Sequence, residues 1–404
     1  MKNFQGTAIA ALFLLAFWEE MDSHRRHLTS PKPMLTHFSN ARRVVVKLGT
    51  NLLTTGDGEM DEARVKSFCD QVARLRQKNI QVILVSSGAV GLGMGKLGLE
   101  KRPKLIEKLQ ACAAVGQSIL TQTWQKHFEP FGLVVGQILL TRDDVRGRRR
   151  HVAIMNTIET LLREGVVPIL NENDSVSAEE LEIKFGDNDI LSALVASLTK
   201  SDVLAILTTV KGLLDLDNGD HLIPIVENIT PEIEALAKGT TSKTSIGGMI
   251  SKIEAAKVAT HSGCGVFFGA GYAENILTDL IEGKAEGTFF IPSDNPLESK
   301  KRWLAYFEKP QGQICVDAGA VKALKENGSS LLAKGILKCD SDFAADSLIE
   351  VADESGKVFA RGLTRFTSDQ LQSIVGKSSE EISQAFPERK KFEVIHRDDL
   401  VVIA

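Results

Sequence analysis

Short uninterrupted apolar runs alternate with stretches in which apolar residues recur every three or four positions, from residue 44 to about residue 290. Val44-Val45-Val46 runs into Lys47, Leu48, Gly49, Thr50 and Asn51. Gln81 to Val85, Leu133 to Leu140, Val166 to Leu170, Val203 to Thr208 and Val266 to Phe268 are further runs of this kind. Such runs read as strands buried on both faces. Between them, Asp61 to Lys78 carries Val65, Phe68, Cys69, Val72 and Leu75 at helical spacing. Lys104 to Phe128 does the same with Leu105, Leu109, Cys112, Val115 and Ile119. Helices are also predicted over His151–Glu164, Ile190–Leu198, Pro231–Lys238, Met249–His261 and Ile276–Glu282. The alternation predicts βαβ units and an α/β fold with a mostly parallel sheet.

The pattern changes after Pro292. Residues 293–309 read as a linker, and beyond it short β-like segments stand among Gly-rich turns: Gln313–Val316, Leu348–Val351, Val358–Gly362 and Phe392–His396. Helical stretches Gly319–Glu326 and Thr367–Val375 are interleaved. The expected division is a large α/β domain over 41–292, a small β-rich domain over 310–396 and a tail over 397–404. Residues 1–40 read as an extension, disordered or non-native. Its apolar run Thr7–Trp18 is too short to span a bilayer and lacks a good small-x-small cleavage site. The favoured reading starts the functional chain at Met34.

Composition changes this picture little. The chain has 404 residues, 43% hydrophobic and 25% charged, as in an ordinary soluble globular protein. A net charge of -4 leaves no global footprint for nucleic acid. The five cysteines are scattered without a CxxC pair, which points to small hydrophobes in a reducing compartment rather than disulfides or zinc.

Candidate chemistry lies where strands end. Lys47 sits at the carboxyl edge of the first strand, where open α/β sheets place ligands, and its ammonium suits phosphate. Gly49 lets the backbone approach that ligand. Ser86-Ser87-Gly88-Ala89-Val90-Gly91-Leu92-Gly93 opens onto a helix, a place that favours an anion; a Gly-rich turn is weak evidence by itself, and tight strand-to-helix packing is the plainer explanation. Two clusters of amides and carboxylates, Asn171-Glu172-Asn173-Asp174 and Gly186-Asp187-Asn188-Asp189, flank a predicted hairpin over 176–185. Both fall at the presumed ligand edge and describe a polar pocket. Gly247 and Gly248 precede the helix predicted from Met249, with Lys252 in its first turn, a cradle for phosphate. The charged run Asp143–His151 reads as a solvated turn at a helix start.

Taken in order, the motifs VVKLGTN, VSSGAVGLG, ILNENDSV, FGDNDILSA, ILTTVKGL and IGGMISK resemble the amino-acid kinase superfamily, and within it the glutamate 5-kinase family. The segments GQICVDAGAVKAL, NGSSLLAKGI and ARGLTRFTSDQL resemble the PUA domain appended to many members. The resemblance runs from about Arg42 to the end. It implies a three-layer αβα sandwich with a small PUA-like domain, and a cytoplasmic enzyme that phosphorylates the γ-carboxylate of L-glutamate with ATP and Mg²⁺, opening proline biosynthesis. Lys47 and Lys252 would act on the transferring phosphoryl group, with Asp189 holding both. Ser87, Asn171, Asp174 and Asn188 would bind the amino acid. Gly49, Gly88, Thr208, Thr209 and the run Ile246, Gly247, Gly248, Met249, Ile250, Ser251 and Lys252 would bind ATP. No protein ligand for the metal is assigned.

The resemblance further implies feedback inhibition by proline, product transfer to glutamyl phosphate reductase and a dimeric or tetrameric assembly. Two alternatives stay open: another acceptor such as aspartate, and an RNA-binding role of the PUA domain. Against the latter, the C-terminal part lacks a dense Lys/Arg stripe interleaved with aromatics. Thr209, Leu214 and Ile246 depart from the family's usual aspartate, tyrosine and threonine, which predicts weaker or less selective nucleotide binding.

Overall fold

The computed structural model describes residues 38–55, 58–141, 144, 148–176, 188–215, 219–238, 246–294, 296–297, 301, 303–307, 310–339, 341–389 and 391–403. The N-terminal apolar run, Met34, the hairpin over 177–185, Gly186 and Asp187 lie outside the described residues. In chain order the large domain runs β1 (Arg43–Leu48), α1 (Thr50–Leu53), α2 (Glu62–Gln77), β2 (Gln81–Ser86), α3 (Ala89–Lys96) and α4 (Ile106–Phe128). It continues with β3 (Val135–Leu140), α5 (Arg148–Arg163), β4 (Val167–Glu172), α6 (Asn188–Leu198) and β5 (Val203–Thr208). Then come β6 (Leu214–Asp215), β7 (His221–Leu222), β8 (Ile225–Val226), α7 (Pro231–Lys238), α8 (Ile246–His261), β9 (Gly265–Ala270), α9 (Ile276–Ile281) and β10 (Gly287–Phe290).

Eight strands form one sheet in the order β3-β4-β2-β1-β5-β9-β10-β8. Its pairings are parallel from β3 through β9. Only the β9–β10 pairing is antiparallel, and β8 then pairs parallel to β10. Because the side-chain period of a strand is two, β1 sends Val44, Val46 and Leu48 to one face and Val45 to the other. The first set packs with Phe68 and Val72 of α2, Leu120 and Trp124 of α4, and Leu277 and Leu280 of α9. Val45 packs with Ile158 of α5, Val195 of α6 and Ile253 and Ala256 of α8. Helices thus cover both faces, and the continuous apolar runs of the sequence are the result. Phe38 joins the first core at zero exposure and tilts against Phe289 with ring centroids 4.6 Å apart.

Two boundaries differ from expectation in ways that matter. The helix predicted from Met249 begins at Ile246, so Gly247 and Gly248 lie inside its first turn and Lys252 in its second. A glycine pair reads as a helix breaker, but the first turn has no intrahelical N–H bonds to lose. The charged run before His151 enters α5 at Arg148. The short strands β8 and β10 carried no legible pattern at two and four residues.

The small domain holds β11 (Gly312–Val316), α10 (Ala318–Asn327), β12 (Leu331–Leu332), β13 (Ile336–Cys339), β14 (Leu348–Ala352) and β15 (Val358–Leu363). It closes with α11 (Ser368–Ile374), α12 (Ser379–Ala385), β16 (Glu393–Ile395) and β17 (Leu400–Val402). Five strands pair in the order β13-β11-β14-β15-β17 around a separate core. Within the stretch read as a tail, Leu400 pairs with Gly362, so β17 is built into this sheet. Residues Trp303–Phe307 of the linker form a π-helical turn whose Leu304 and Ala305 pack on Leu348 and Val401. Cys69, Cys112, Cys264 and Cys339 are buried free thiols, and burial pushes those of Cys69 and Cys264 well above the usual range.

Candidate active site

The sheet reverses its strand order beside β1. The chain moves from β1 through β2 toward β3, then returns past β1 to lay down β5. Ligands of open α/β sheets bind outside the carboxyl ends of strands at such a point. Here it holds a cavity of about 410 Å³ lined by Lys47, Gly49, Ser87, Gly88, Asn171, Asp174, Asn188, Thr208, Thr209 and Lys252, among others. The volume suits a small molecule with a phosphate tail.

At its base, two lysines share one carboxylate. The Lys47 ammonium stands 2.7 Å from Asp189 Oδ1, and Lys252 Nζ donates to Asp189 Oδ2 at 3.0 Å. Asp189 is fully buried, while Lys47 and Lys252 are 4% and 7% exposed. Oδ1 accepts no well-aligned hydrogen bond, so the Lys47 pair is held by charge more than by direction. Ser251 Oγ also donates to Asp189 Oδ2 at 3.1 Å. Each member comes from a different element: Lys47 from β1, Asp189 from the first turn of α6 and Lys252 from α8. Lys252 reaches back one turn, donating to the Gly248 carbonyl at 2.9 Å. Two ammonium groups around one carboxylate leave a net positive charge in a largely dry site, which an incoming anion can neutralise.

The glycines have different reasons to be there. Gly88 adopts φ 111°, a left-handed conformation that starts α3 and that side chains rarely enter. A Cβ on Gly49 would sit 3.8 Å from Lys47 Nζ, so the absence of one keeps the lysine uncovered. Gly93 is a packing residue: a Cβ there would collide with the Cys112 carbonyl of α4. Packing in the VSSGAVGLG run is thus helix on helix, at Gly93, while Gly88 serves the turn into α3. Gly247 and Gly248 lie where α8 leaves N–H groups without intrahelical acceptors.

The opposite wall is a chain of amides. Asn188 Nδ2 donates to Asn171 Oδ1 at 2.7 Å, to Ser87 Oγ at 2.8 Å and to the Ser86 carbonyl at 3.2 Å. Asn171 Nδ2 donates in turn to Gln117 Oε1 at 2.9 Å. Because carbonyl and amide oxygens only accept, these contacts fix which way each amide faces. Asn188 Oδ1 remains a buried acceptor with no hydrogen-bond partner among the described residues. Trp124 closes the wall from behind, its Nε1 donating to Ser86 Oγ at 3.2 Å.

The structure therefore brings Lys47, Asp189, Lys252, Ser87, Asn171, Asp174, Asn188, Gly49, Gly88, Thr208 and Thr209 to one place. Met249 and Ile250 are instead packed against the second core. Leu214 starts β6 and is half-buried. Thr50 and Asn51, inside the VVKLGTN motif but given no role there, also line the cavity, as does Arg102, to which no motif pointed. Arg102 falls in a charged loop, EKRPK, that reads like any solvated connection. Among the described residues no group of three His, Cys, Asp or Glu is placed to hold a metal ion. No described helix is long and apolar enough to cross a membrane.

A sequence model of the amino acid kinase family matches residues 42–269, and one of the PUA domain matches residues 312–386. A curated relative from Moorella thermoacetica, named glutamate 5-kinase, is 42% identical over 91% of this chain and 97% of its own length. Relatives of the same name from Dehalococcoides mccartyi and Trichlorobacter lovleyi are 42% and 43% identical, over 90% and 91% of this chain and 98% of their own lengths.

Proposed function

The chain belongs to the amino acid kinase family and, within it, to the glutamate 5-kinases; from this we propose that it transfers the γ-phosphoryl group of ATP to the γ-carboxylate of L-glutamate. The product, L-glutamyl 5-phosphate, opens proline biosynthesis. The observation that carries the reading is the buried Lys47–Asp189–Lys252 cluster at the carboxyl edge of the sheet.

A glutamate side chain is ionised at neutral pH, so the nucleophile needs no general base. The obstacle is bringing one anion up to another in line, which calls for positioning and positive charge. Lys47 and Lys252 supply the charge on the transferring group. Asp189, ion-paired with both, orients them and is not a base. The N–H groups at the start of α8, with those at Gly49 and Gly88, bind phosphate oxygens. Thr208 and Thr209 line the cavity, and in this reading they face the nucleotide. On the amide side, a substrate α-ammonium donates to Asn188 Oδ1, the acceptor left open, and pairs with Asp174. Ser87 and Asn171 hold Asn188 in that orientation. Mg²⁺ would be brought by the nucleotide, with no protein ligand assigned to it, and would supply screening of the phosphate charge.

Proline carries the same α-ammonium and α-carboxylate as glutamate, which supports its competition at the amino-acid end. An acyl phosphate is labile, which supports direct consumption by a reductase acting on glutamyl phosphate. A cytoplasmic dimer or tetramer completes the reading. Trapping the product with hydroxylamine tests it. The chain should form γ-glutamyl hydroxamate from L-glutamate and ATP and far less product from L-aspartate, whose carboxylate is one methylene short. Lys252→Ala should lower kcat by about 10²–10³-fold. Equal turnover of aspartate, or an unaffected Lys252→Ala, would sink the proposal.

A further inference from the structure

Among the described residues, three basic side chains line the cavity: Lys47, Lys252 and Arg102. The two lysines are tied to Asp189. Arg102 is exposed, and among the described residues no carboxylate or hydrogen-bond acceptor engages its guanidinium. It belongs to the connection between α3 and α4, and α4 contributes Gln117, which anchors Asn171. Arg102 lines the same cavity as Ser87, Asn171, Asp174 and Asn188.

The ionic groups of the acceptor can be matched to this layout. L-glutamate has three, and this assignment rests on the glutamate reading above. Its γ-carboxylate must lie at the two lysines to meet phosphorus in line. Its α-ammonium goes to Asp174 and Asn188. The α-carboxylate, two methylenes from the reacting carbon, cannot reach the same lysines and needs its own cation. A guanidinium offers a planar fork matched to a carboxylate. We propose that Arg102 binds the α-carboxylate of the acceptor, and so selects free amino acids over α-amides and over glutamate whose α-carboxylate is tied in a peptide bond.

The test is steady-state kinetics on the full chain, reading trapped hydroxamate, with L-glutamate and its α-amide, L-isoglutamine. For the unmodified chain, the amide should show a KM about 10–100-fold above that of glutamate, as expected for losing a charge-assisted bond. Arg102→Ala should raise the KM for glutamate by a similar factor, with kcat and the KM for ATP changed by less than about threefold. In that variant the two substrates should differ little, because the group that told them apart is gone. Arg102→Lys should recover part of the preference, as a point charge replaces the fork. The inference fails if Arg102→Ala still discriminates as the unmodified chain does, if its KM for glutamate is unchanged, or if the KM for ATP rises instead. An unmodified chain that makes no hydroxamate from glutamate overturns the glutamate reading itself, a separate outcome.

Discussion

Asp189 is the residue on which the site turns, and its effect is electrostatic before it is chemical. It is the buried counter-ion for two buried ammonium groups. Asp189→Asn leaves both lysines facing an uncharged amide, and breaking a buried ion pair costs about 3–5 kcal/mol. The variant should melt earlier, and its kcat should fall by about 10²-fold or more as the lysines lose their positions. ATP should raise its melting temperature more than that of the unmodified chain, since a triphosphate restores the missing negative charge; an equal shift in both would contradict this placement of the tail. Thr209 poses a gentler question. It lines the cavity, where an aspartate could accept from nucleotide donors that a threonine holds less strongly. Thr209→Asp should lower the KM for ATP and widen the preference for ATP over GTP, measured as the ratio of kcat/KM. No change in that ratio would remove Thr209 from nucleotide selection. Lys47 and Asn171 were legible because they stand at the ends of strongly apolar strands, and Asp189 and Lys252 because they stand in the opening turns of helices. Arg102 was not, since a lone arginine in a charged loop has no period to betray it.

Among the elements, the α3–α4 pair positions the amide wall. Gly116 of α4 touches Ala89 at the start of α3, where an added Cβ would overlap the Ala89 carbonyl. Backbone cannot yield as a side chain can, so Gly116→Ala must push the helices apart. Overpacking of this kind costs about 1–3 kcal/mol or more. Because Gly88 begins α3 and Gln117 anchors Asn171, the displacement reaches the site. The expected outcome is a lower melting temperature together with a raised KM for glutamate; a lower melting temperature alone would show that the pair is only a support. The same elements show what a sequence discloses. Strands β1, β2 and β5 were plain because burial on both faces makes them continuously apolar. The start of α8 was misplaced by three residues because Gly247-Gly248 has the composition of a breaker, while its position in the first turn is set by tertiary structure. Strands of two to four residues, such as β8, β10 and β12, are shorter than any period that could announce them.

At the scale of the molecule, the helix that carries Lys252 is also the one that meets the linker to the small domain. His261, the last residue of α8, shares a hydrogen bond between its Nδ1 and the Tyr306 hydroxyl at 2.5 Å. Arg361 of β15 donates to the Ala305 carbonyl at 2.6 Å and pairs with Glu350 at 2.8 Å, so the small domain grips the same linker turn. Burial, with the Lys257 ammonium adding to it, holds His261 below the usual histidine range; Tyr306 is pushed up by burial and by Glu254, against the Arg361 charge. A histidine with a lowered folded-state pKa takes up its proton in the unfolded chain first. Stability should therefore be full above the ordinary histidine pKa of about 6.5, and fall as pH drops from there to the lower folded value, at no more than about 1.4 kcal/mol per pH unit. Denaturant midpoints for the full chain between pH 5 and 8 would show that decline, and His261→Gln should flatten it. Tyr306→Phe should instead lower the midpoint at every pH by an amount equivalent to about 1 kcal/mol, since it removes one hydrogen bond and leaves the stacked rings. If His261→Gln leaves the pH dependence intact, the titrating group lies elsewhere. The junction between α8 and the linker would then be a packing contact and not a pH-sensitive one.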